Sequence, residues 1–187
     1  MTRTPDPRVS RSRERALTAA LDLVAERGVA GATIEAVAAR SGVAKTTIYR
    51  QWPHQAALVL DAFRSIAPDP PVPDTGTLRG DLQVLLGGFA LALSSGRSAV
   101  FMASLIDAAQ RDPGFAKEHA QESERRHQPV LAVLARGLER GELPEGTDLE
   151  ALLDRLAGPI IHRRFISGLP LDGAFAQDVV DAVLREP

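Results

Sequence analysis

The sequence has no cysteine and, among its 187 residues, only two lysines, one tryptophan and one tyrosine. Without cysteine, disulfides, zinc–cysteine sites and thiol chemistry are excluded. The longest apolar run, QVLLGGFALALSSG, is too short and too broken by glycine to span a bilayer. The N-terminus is rich in arginine but lacks the apolar segment of a signal peptide. We therefore expect a cytoplasmic protein that does not engage a membrane.

Sequence motifs of enzymes and of metal or cofactor sites are also missing. The four histidines include no HExxH pair, and His119 and His127 lack carboxylate partners at ligand spacing. The chain contains no GxGxxG, Walker or GxSxG motif. We predict no catalytic residue, no metal site and no cofactor.

The net charge of −2 is unevenly distributed. Residues 1–66 contain ten Lys or Arg against six Asp or Glu, whereas the remainder is acidic. This distribution suggests that the first third meets an anion. A chance scatter of surface charge would give the same modest excess.

The hydrophobic periodicity is helical throughout, which predicts an all-α fold. The clearest linker is APDPPVPDTG, with four prolines in ten residues, and it predicts a domain boundary. Gly28 is expected to end the first helix, Pro53 to open the fourth, Thr147 with Glu150 to form a capping box, and Asp172 to cap the last helix. The predicted helices cover about residues 11–27, 33–41, 44–51, 53–66, 77–95, 97–110, 113–140, 148–167 and 172–185.

The segment AVAARSGVAKTTIYRQW has the spacing of a helix-turn-helix. Ala38 is small where the helices touch, Gly42 suits a left-handed turn, and Ile48 anchors the second helix. The helical period directs Val43, Thr47 and Ile48 toward the core. It directs a cation, a hydroxyl, a phenol and a second cation outward, groups suited to base edges and phosphates: Lys45, Thr46, Tyr49 and Arg50.

The longer stretch TIEAVAARSGVAKTTIYRQWPHQAALV resembles the DNA-binding signature of the TetR family of bacterial transcriptional regulators. The resemblance implies base contacts from Lys45 and Thr46, with Arg50 as a third, and phosphate contacts from Thr33, Thr47 and Tyr49. Gln55 stands where a lysine usually meets a phosphate and can still donate a hydrogen bond. Ala44 replaces the usual serine cap, which removes about 1 kcal/mol of helix stabilisation.

Several of these residues have a second interpretation. Trp52 is expected to pack in the core rather than to contact DNA. The ring of Tyr49 could pack while its hydroxyl meets water, and Lys45 could be an ordinary solvated lysine. The arm TRTPDPRVSRSRER, with five arginines, is equally compatible with a solvated tail and with a segment that follows the DNA backbone or its minor groove.

The family resemblance also implies the domain organisation and the partners. Residues 1–52 form a three-helix helix-turn-helix domain with an N-terminal arm, 53–66 a connecting helix, 67–77 the proline-rich linker, and 78–187 a helical bundle for effector binding and dimerisation. The partners are a palindromic double-stranded operator, a small-molecule effector and a second copy of the chain. Ordinary core packing is the alternative for each effector-pocket candidate: Phe89, Leu93, Phe101, Met102, Leu105, His127, Leu131 and His162.

The last two predicted helices have wide apolar faces, which predict a two-fold interface. Two rival functions remain open at this level: a DNA-binding protein without an effector, and a helical enzyme that binds small molecules. The residues expected to be buried between two copies are Leu152, Leu156, Ile160, Phe175, Val179 and Val183.

Overall fold

The computed structural model describes residues 7–94 and 96–185, and these residues form nine α-helices and no β-strand. The all-α prediction is therefore confirmed. A π-helical turn at Arg163–Ser167 follows the eighth helix. The helices are α1 (Pro7–Gly31), α2 (Ile34–Ser41), α3 (Lys45–Gln51), α4 (Gln55–Ile66), α5 (Leu78–Ser94), α6 (Arg97–Arg111), α7 (Pro113–Glu139), α8 (Leu149–His162) and α9 (Gly173–Arg185).

The helix boundaries differ from the predicted ones in ways that local chemistry explains. Helix α1 begins at Pro7, so much of the predicted arm is helical, and residues 2–6 of that arm lie outside the described residues. Gly28 interrupts α1 with φ 69° and ψ −179°, where the sequence predicts its end. Helix α4 begins after His54, whose Nδ1 accepts from the backbone of the first turn, and not at Pro53.

Two further predictions concern the caps of the last helices. Asp148, and not Thr147, caps α8, because its carboxylate accepts two backbone N–H groups of the first turn. Asp172 caps α9 as predicted, with Oδ1 2.9 Å from the backbone nitrogen of Phe175. The predicted eighth helix ends earlier as an α-helix, since the chain changes to π-helical geometry after His162.

The chain folds into two compact units. The first unit comprises the chain as far as Pro68 together with Val100–Glu122. Its core is formed by the apolar faces of α1 to α4, joined by side chains from α6 and α7. Phe63 of α4 and Phe101 of α6 stack with centroids 5.7 Å apart. Residues 100–122 thus pack with the helix-turn-helix, whereas the sequence predicts a single boundary in the linker.

The second unit comprises Asp69–Ala99 and the chain from Ser123 onward. Helix α5 packs against α8 and α9. The fully buried carboxylate of Asp81 accepts from the backbone and hydroxyl of Thr75 and from Arg136. Arg136 also donates to the carbonyl of Pro73, so these contacts fix the proline-rich segment on α5 and α7.

Within residues 7–94 and 96–185, no single helix has both the length and the apolar character needed to cross a bilayer. The helix pair Leu78–Ser94 and Arg97–Arg111 meets the length and composition criteria only when the two helices are taken together.

Candidate nucleic-acid interface

The turn between α2 and α3 depends on Gly42. Its φ of 66° and ψ of 16° lie in the left-handed region, and its N–H donates to the carbonyl of Ala38 at 2.9 Å. The guanidinium of Arg15 donates to the carbonyl of Ser41 beside it. A Cβ on Gly42 would lie 2.9 Å from Nη2 of Arg15, a flexible side-chain end that can shift, so the left-handed backbone is what requires glycine.

Helix α3 has a buried face and an exposed face, as the helical period predicts. Ile48 is fully buried and Val43 just before the helix is buried. Lys45, Thr46 and Arg50 are exposed, and Tyr49 is 48% exposed. These four side chains stand on one side of a short helix that the core holds from behind. The exposed face therefore offers two cations, a hydroxyl and a phenol to a partner outside the unit.

The remaining predicted contact residues already have roles within the fold. The hydroxyl of Thr33 accepts from the backbone nitrogen of Ala36 at 3.1 Å and so caps α2, and Thr47 is half-buried. Ala44 provides no side-chain cap for α3, because its methyl group cannot accept a hydrogen bond. Nε2 of Gln55 donates to the carbonyl of Val29 at 2.5 Å. This bond ties the start of α4 to α1.

The cations around α3 differ in how they are paired. Nζ of Lys45 lies 3.4 Å from Oε1 of Glu35 on α2, and Arg40 forms a two-pronged pair with Glu26 at 2.7 Å for each bond. Arg50 has no ion-pair or hydrogen-bond partner within the described part of the chain.

Trp52 is a core residue, as expected, and it links α3 to α4. The residue is 4% exposed, and its Nε1 donates to Oδ2 of Asp61 at 2.7 Å. Arg13 of α1 donates to both oxygens of the same carboxylate, at 2.9 and 2.7 Å, and its guanidinium lies 6.0 Å from the Trp52 ring centroid. One carboxylate thus joins α1, the end of α3 and α4.

Helix α4 also carries contacts to the first part of α7 within the first unit. Nε and Nη2 of Arg64 donate to Oε2 of Glu122 at 2.9 and 2.5 Å, and the carboxylate side chain is only 2% exposed. The hydrogen bond to Glu122 raises the pKa of Arg64, with burial opposing it. Nε2 of His54 lies 3.4 Å from Glu118. These contacts hold α4 against the first part of α7.

The residues predicted to line an effector pocket are divided between the two units. Phe101, Met102 and Leu105 belong to the first unit, where Phe101 and Leu105 are core and Met102 packs against it. In the second unit Leu93 is buried, His162 is exposed with Nδ1 3.1 Å from the hydroxyl of Ser167, and the others are half-buried: Phe89, His127 and Leu131. A shared pocket stays a prediction.

The residues predicted for the dimer interface are mostly covered within the single chain. Phe175 is half-buried, with the guanidinium of Arg163 4.1 Å from its ring centroid. The apolar stripes of α8 and α9 therefore face the core of the second unit, and their place in an interface between copies stays a prediction. The other five side chains are at most 6% exposed: Leu152, Leu156, Ile160, Val179 and Val183.

Three residues of the first unit have roles that no sequence motif indicates. Asp61 orients Trp52, Arg15 supports the turn before α3, and Glu35 accompanies Lys45. Only the last pair leaves a trace in the sequence, since opposite charges stand near the starts of two helices that a helix-turn-helix brings together. The other two need the tertiary fold.

Comparison with known proteins agrees with this arrangement. Residues 16–62 match the family described as bacterial regulatory proteins, tetR family. Residues 72–183 match the family described as tetracyclin repressor-like, C-terminal domain. Together the two families account for the helix-turn-helix unit and most of the chain after it.

Similar proteins cover nearly the whole chain. The HTH-type transcriptional regulator YdeS of Bacillus subtilis (strain 168) is 35% identical over 93% of this chain and 88% of its own. The DNA-binding transcriptional repressor TetR of Mycobacteroides abscessus is 33% identical over 90% of this chain and 89% of its own. The crystal structure of TetR family transcription regulator SCO0332 has a TM-score of 0.75 and 34% identity, covering 94% of this chain and 98% of that one. The chain therefore belongs to the TetR family and is a DNA-binding transcriptional regulator of the helix-turn-helix type.

Proposed function

We propose that the protein is a repressor that binds a palindromic operator as a homodimer and leaves it when a small molecule binds. The observation that carries the DNA-reading part is the orientation of α3: Ile48 is sealed in the core while Lys45 and Tyr49 face outward. A recognition helix needs this division, because its outer side chains must reach base edges while the core fixes its direction. Such a repressor would act in the cytoplasm, where bacterial DNA lies.

The proposed contact residues fall into two groups, those suited to base edges and those suited to phosphates. Lys45 and Arg50 would donate to the acceptors of guanine in the major groove, and Thr46 would contact a base edge or a thymine methyl group. Tyr49, Thr33 and Thr47 would donate to phosphate oxygens, which positions the helix. Gln55 would use an amide proton that Val29 does not occupy.

Two copies are required because one recognition helix reads only a short half-site. In a two-fold dimer the recognition helices of both copies would lie about 34 Å apart, one helical turn of DNA. The operator would then be a palindrome with the same symmetry.

The stripe side chains of α8 and α9 are already covered within the chain, so the interface between copies would need exposed apolar side chains beside them. Ile166, in the π-helical turn that follows α8, is 74% exposed, the highest value among the large apolar side chains that the structure describes, and Leu169 nearby is 53% exposed. We place these two side chains in the interface between copies. Ile166→Arg leaves the core intact and should give monomers by light scattering, whereas an unchanged dimer would exclude this surface.

An effector would act by favouring a conformation in which the spacing of the two recognition helices no longer fits the operator. The ion pair between Arg64 and Glu122 and the contact between His54 and Glu118 join α4 to the first part of α7. They would make α4 move with α7 when an effector binds. The effector would be apolar or weakly polar, because few charged residues accompany the predicted pocket side chains.

The proposal is tested by selecting bound duplexes from a random DNA pool with the purified protein. A regulator should enrich a palindrome, and compounds can then be screened for release of that selected duplex. Recovery of DNA without sequence preference would instead identify an effector-independent architectural protein. A failure to retain any duplex would refute the proposal.

A further inference from the structure

The lysine that would read a base is paired with a carboxylate in the free protein. Lys45 begins α3, Glu35 lies in the first turn of α2, and their charged atoms are 3.4 Å apart. Both side chains are more than half exposed, at 54% and 58%. The pKa of Glu35 lies below its ordinary value, because its own backbone N–H and then the Lys45 ammonium stabilise the charged carboxylate. The carboxylate of Glu35 is thus ionised at neutral pH.

The cation at the other end of the exposed face is different. Arg50 is exposed and carries no partner within the described part of the chain. Its positive charge is therefore available to any phosphate that approaches. The charge of Lys45 is largely cancelled by Glu35 at distances beyond the pair itself. The two cations of one recognition helix consequently differ in how they respond to DNA of arbitrary sequence.

This difference affects specificity, because attraction to phosphates supplies almost all of the sequence-independent binding. A lysine ammonium has three protons to donate. With Nζ 3.4 Å from Oε1 of Glu35, one proton can face that carboxylate, which leaves two for the adjacent O6 and N7 acceptors of a guanine. The pair can therefore donate to a base edge while it contributes little net charge toward the backbone.

We infer that Glu35 is a specificity-determining residue, which cancels the charge of Lys45 toward phosphates and directs the remaining ammonium protons to a base. The inference rests on the proposed base contact of Lys45. Glu35 itself does not need to touch DNA. Its effect is to weaken binding to unrelated sequences more than binding to the operator.

The test is Glu35→Gln, measured by fluorescence anisotropy against two duplexes over a series of salt concentrations. One duplex is the sequence selected from the random pool, and the other has the same composition in scrambled order. The scrambled duplex should bind the variant about threefold more tightly per recognition helix, the size expected when an exposed ion pair is removed. Its logarithmic salt slope should steepen by up to about 0.9 per recognition helix, as one further phosphate contact forms. The selected duplex should gain less, so the ratio of the two affinities falls.

Two variants separate this effect from a general loss of negative charge. Glu14→Gln removes an exposed carboxylate of α1 whose described contact is the Ser10 hydroxyl, so it releases no cation. It should leave the affinity ratio unchanged. In a Lys45→Ala background, Glu35→Gln should no longer tighten binding to the scrambled duplex, because the lysine that it frees is absent.

Four outcomes would overturn the inference. Glu35→Gln could tighten both duplexes by the same factor, or its effect could persist in the Lys45→Ala background; either result reduces Glu35 to a general repulsive charge. Lys45→Ala could leave both duplexes unaffected, in which case the proposed base contact itself fails. In the fourth outcome, Lys45→Ala weakens binding to the selected duplex but Glu35→Gln changes neither affinity. That result refutes the role of Glu35 and leaves the base contact of Lys45 in place.

Discussion

Replacing Asp61 by asparagine tests how the recognition helix is held. The carboxylate accepts from Trp52 at 2.7 Å and from Arg13 at 2.7 and 2.9 Å, and its side chain is only 19% exposed. In Asp61→Asn one oxygen remains for Trp52, so the loss there is the difference between a charged and a neutral acceptor, about 1 kcal/mol. The pair with the half-exposed Arg13 adds less than about 1 kcal/mol. We expect the free energy of unfolding of the first unit to be about 1–2 kcal/mol lower than in the unmodified protein.

The assay is urea unfolding followed by tryptophan emission. Trp52 is the only tryptophan of the chain and is buried beside Asp61, so its emission reports the first unit alone. The matched control is Arg13→Ala, which removes the ion pair but keeps the Trp52 hydrogen bond. Arg13→Ala should lower the free energy of unfolding by about half a kcal/mol. The reasoning is refuted if Asp61→Asn unfolds at the unmodified urea midpoint, or if Arg13→Ala costs as much as Asp61→Asn.

Three further predictions concern the turn, a helix cap and a buried carboxylate. Gly42→Ala should destabilise the first unit by about 1–2 kcal/mol in the same emission assay, because φ of 66° is left-handed; an unchanged midpoint would contradict this. Thr33→Ala should lower the free energy of unfolding by about 1 kcal/mol and weaken operator binding, whereas Thr33→Ser should keep both stability and binding. If serine does not preserve them, the capping role is refuted. Burial alone would raise the pKa of Asp81, but the hydrogen bonds from Thr75 and Arg136 lower it below the ordinary value of 3.8. The charged carboxylate therefore stabilises the fold at neutral pH, and this stabilisation is lost as the pH falls from 3.8 through the lowered pKa. Circular dichroism should show a weaker acid dependence in Asp81→Asn, and an equal dependence would exclude this group.

The parts of the fold that the sequence predicts are those with local causes. The interruption at Gly28, the left-handed turn at Gly42 and the outward direction of Lys45 each follow from one residue or one helical period. The same holds for the Asp172 cap. Such features need no knowledge of distant neighbours.

The parts that the sequence does not predict depend on which elements meet. An apolar stripe shows that Leu156 is buried, but not whether a second copy or the chain itself covers it; the chain covers it. Residues 100–122 join the first unit through contacts such as Phe63 with Phe101, which are far apart in sequence. The roles of Asp61 and Arg15 arise in the same way.

Because Leu156 is buried within the chain, Leu156→Arg would disrupt the core of the second unit and is a poor test of dimerisation.

The outward orientation of α3 is tested most directly with the two lysines of the chain. Lys45 begins α3, whereas Lys117 is exposed on α7. The measurement is the affinity for the selected duplex at several salt concentrations, in the variants Lys45→Ala and Lys117→Ala. Loss of one base contact should weaken binding by about 1–3 kcal/mol per recognition helix in Lys45→Ala, with Lys117→Ala unchanged. Equal affinities for the two variants would contradict the assignment of α3 as the helix that reads DNA.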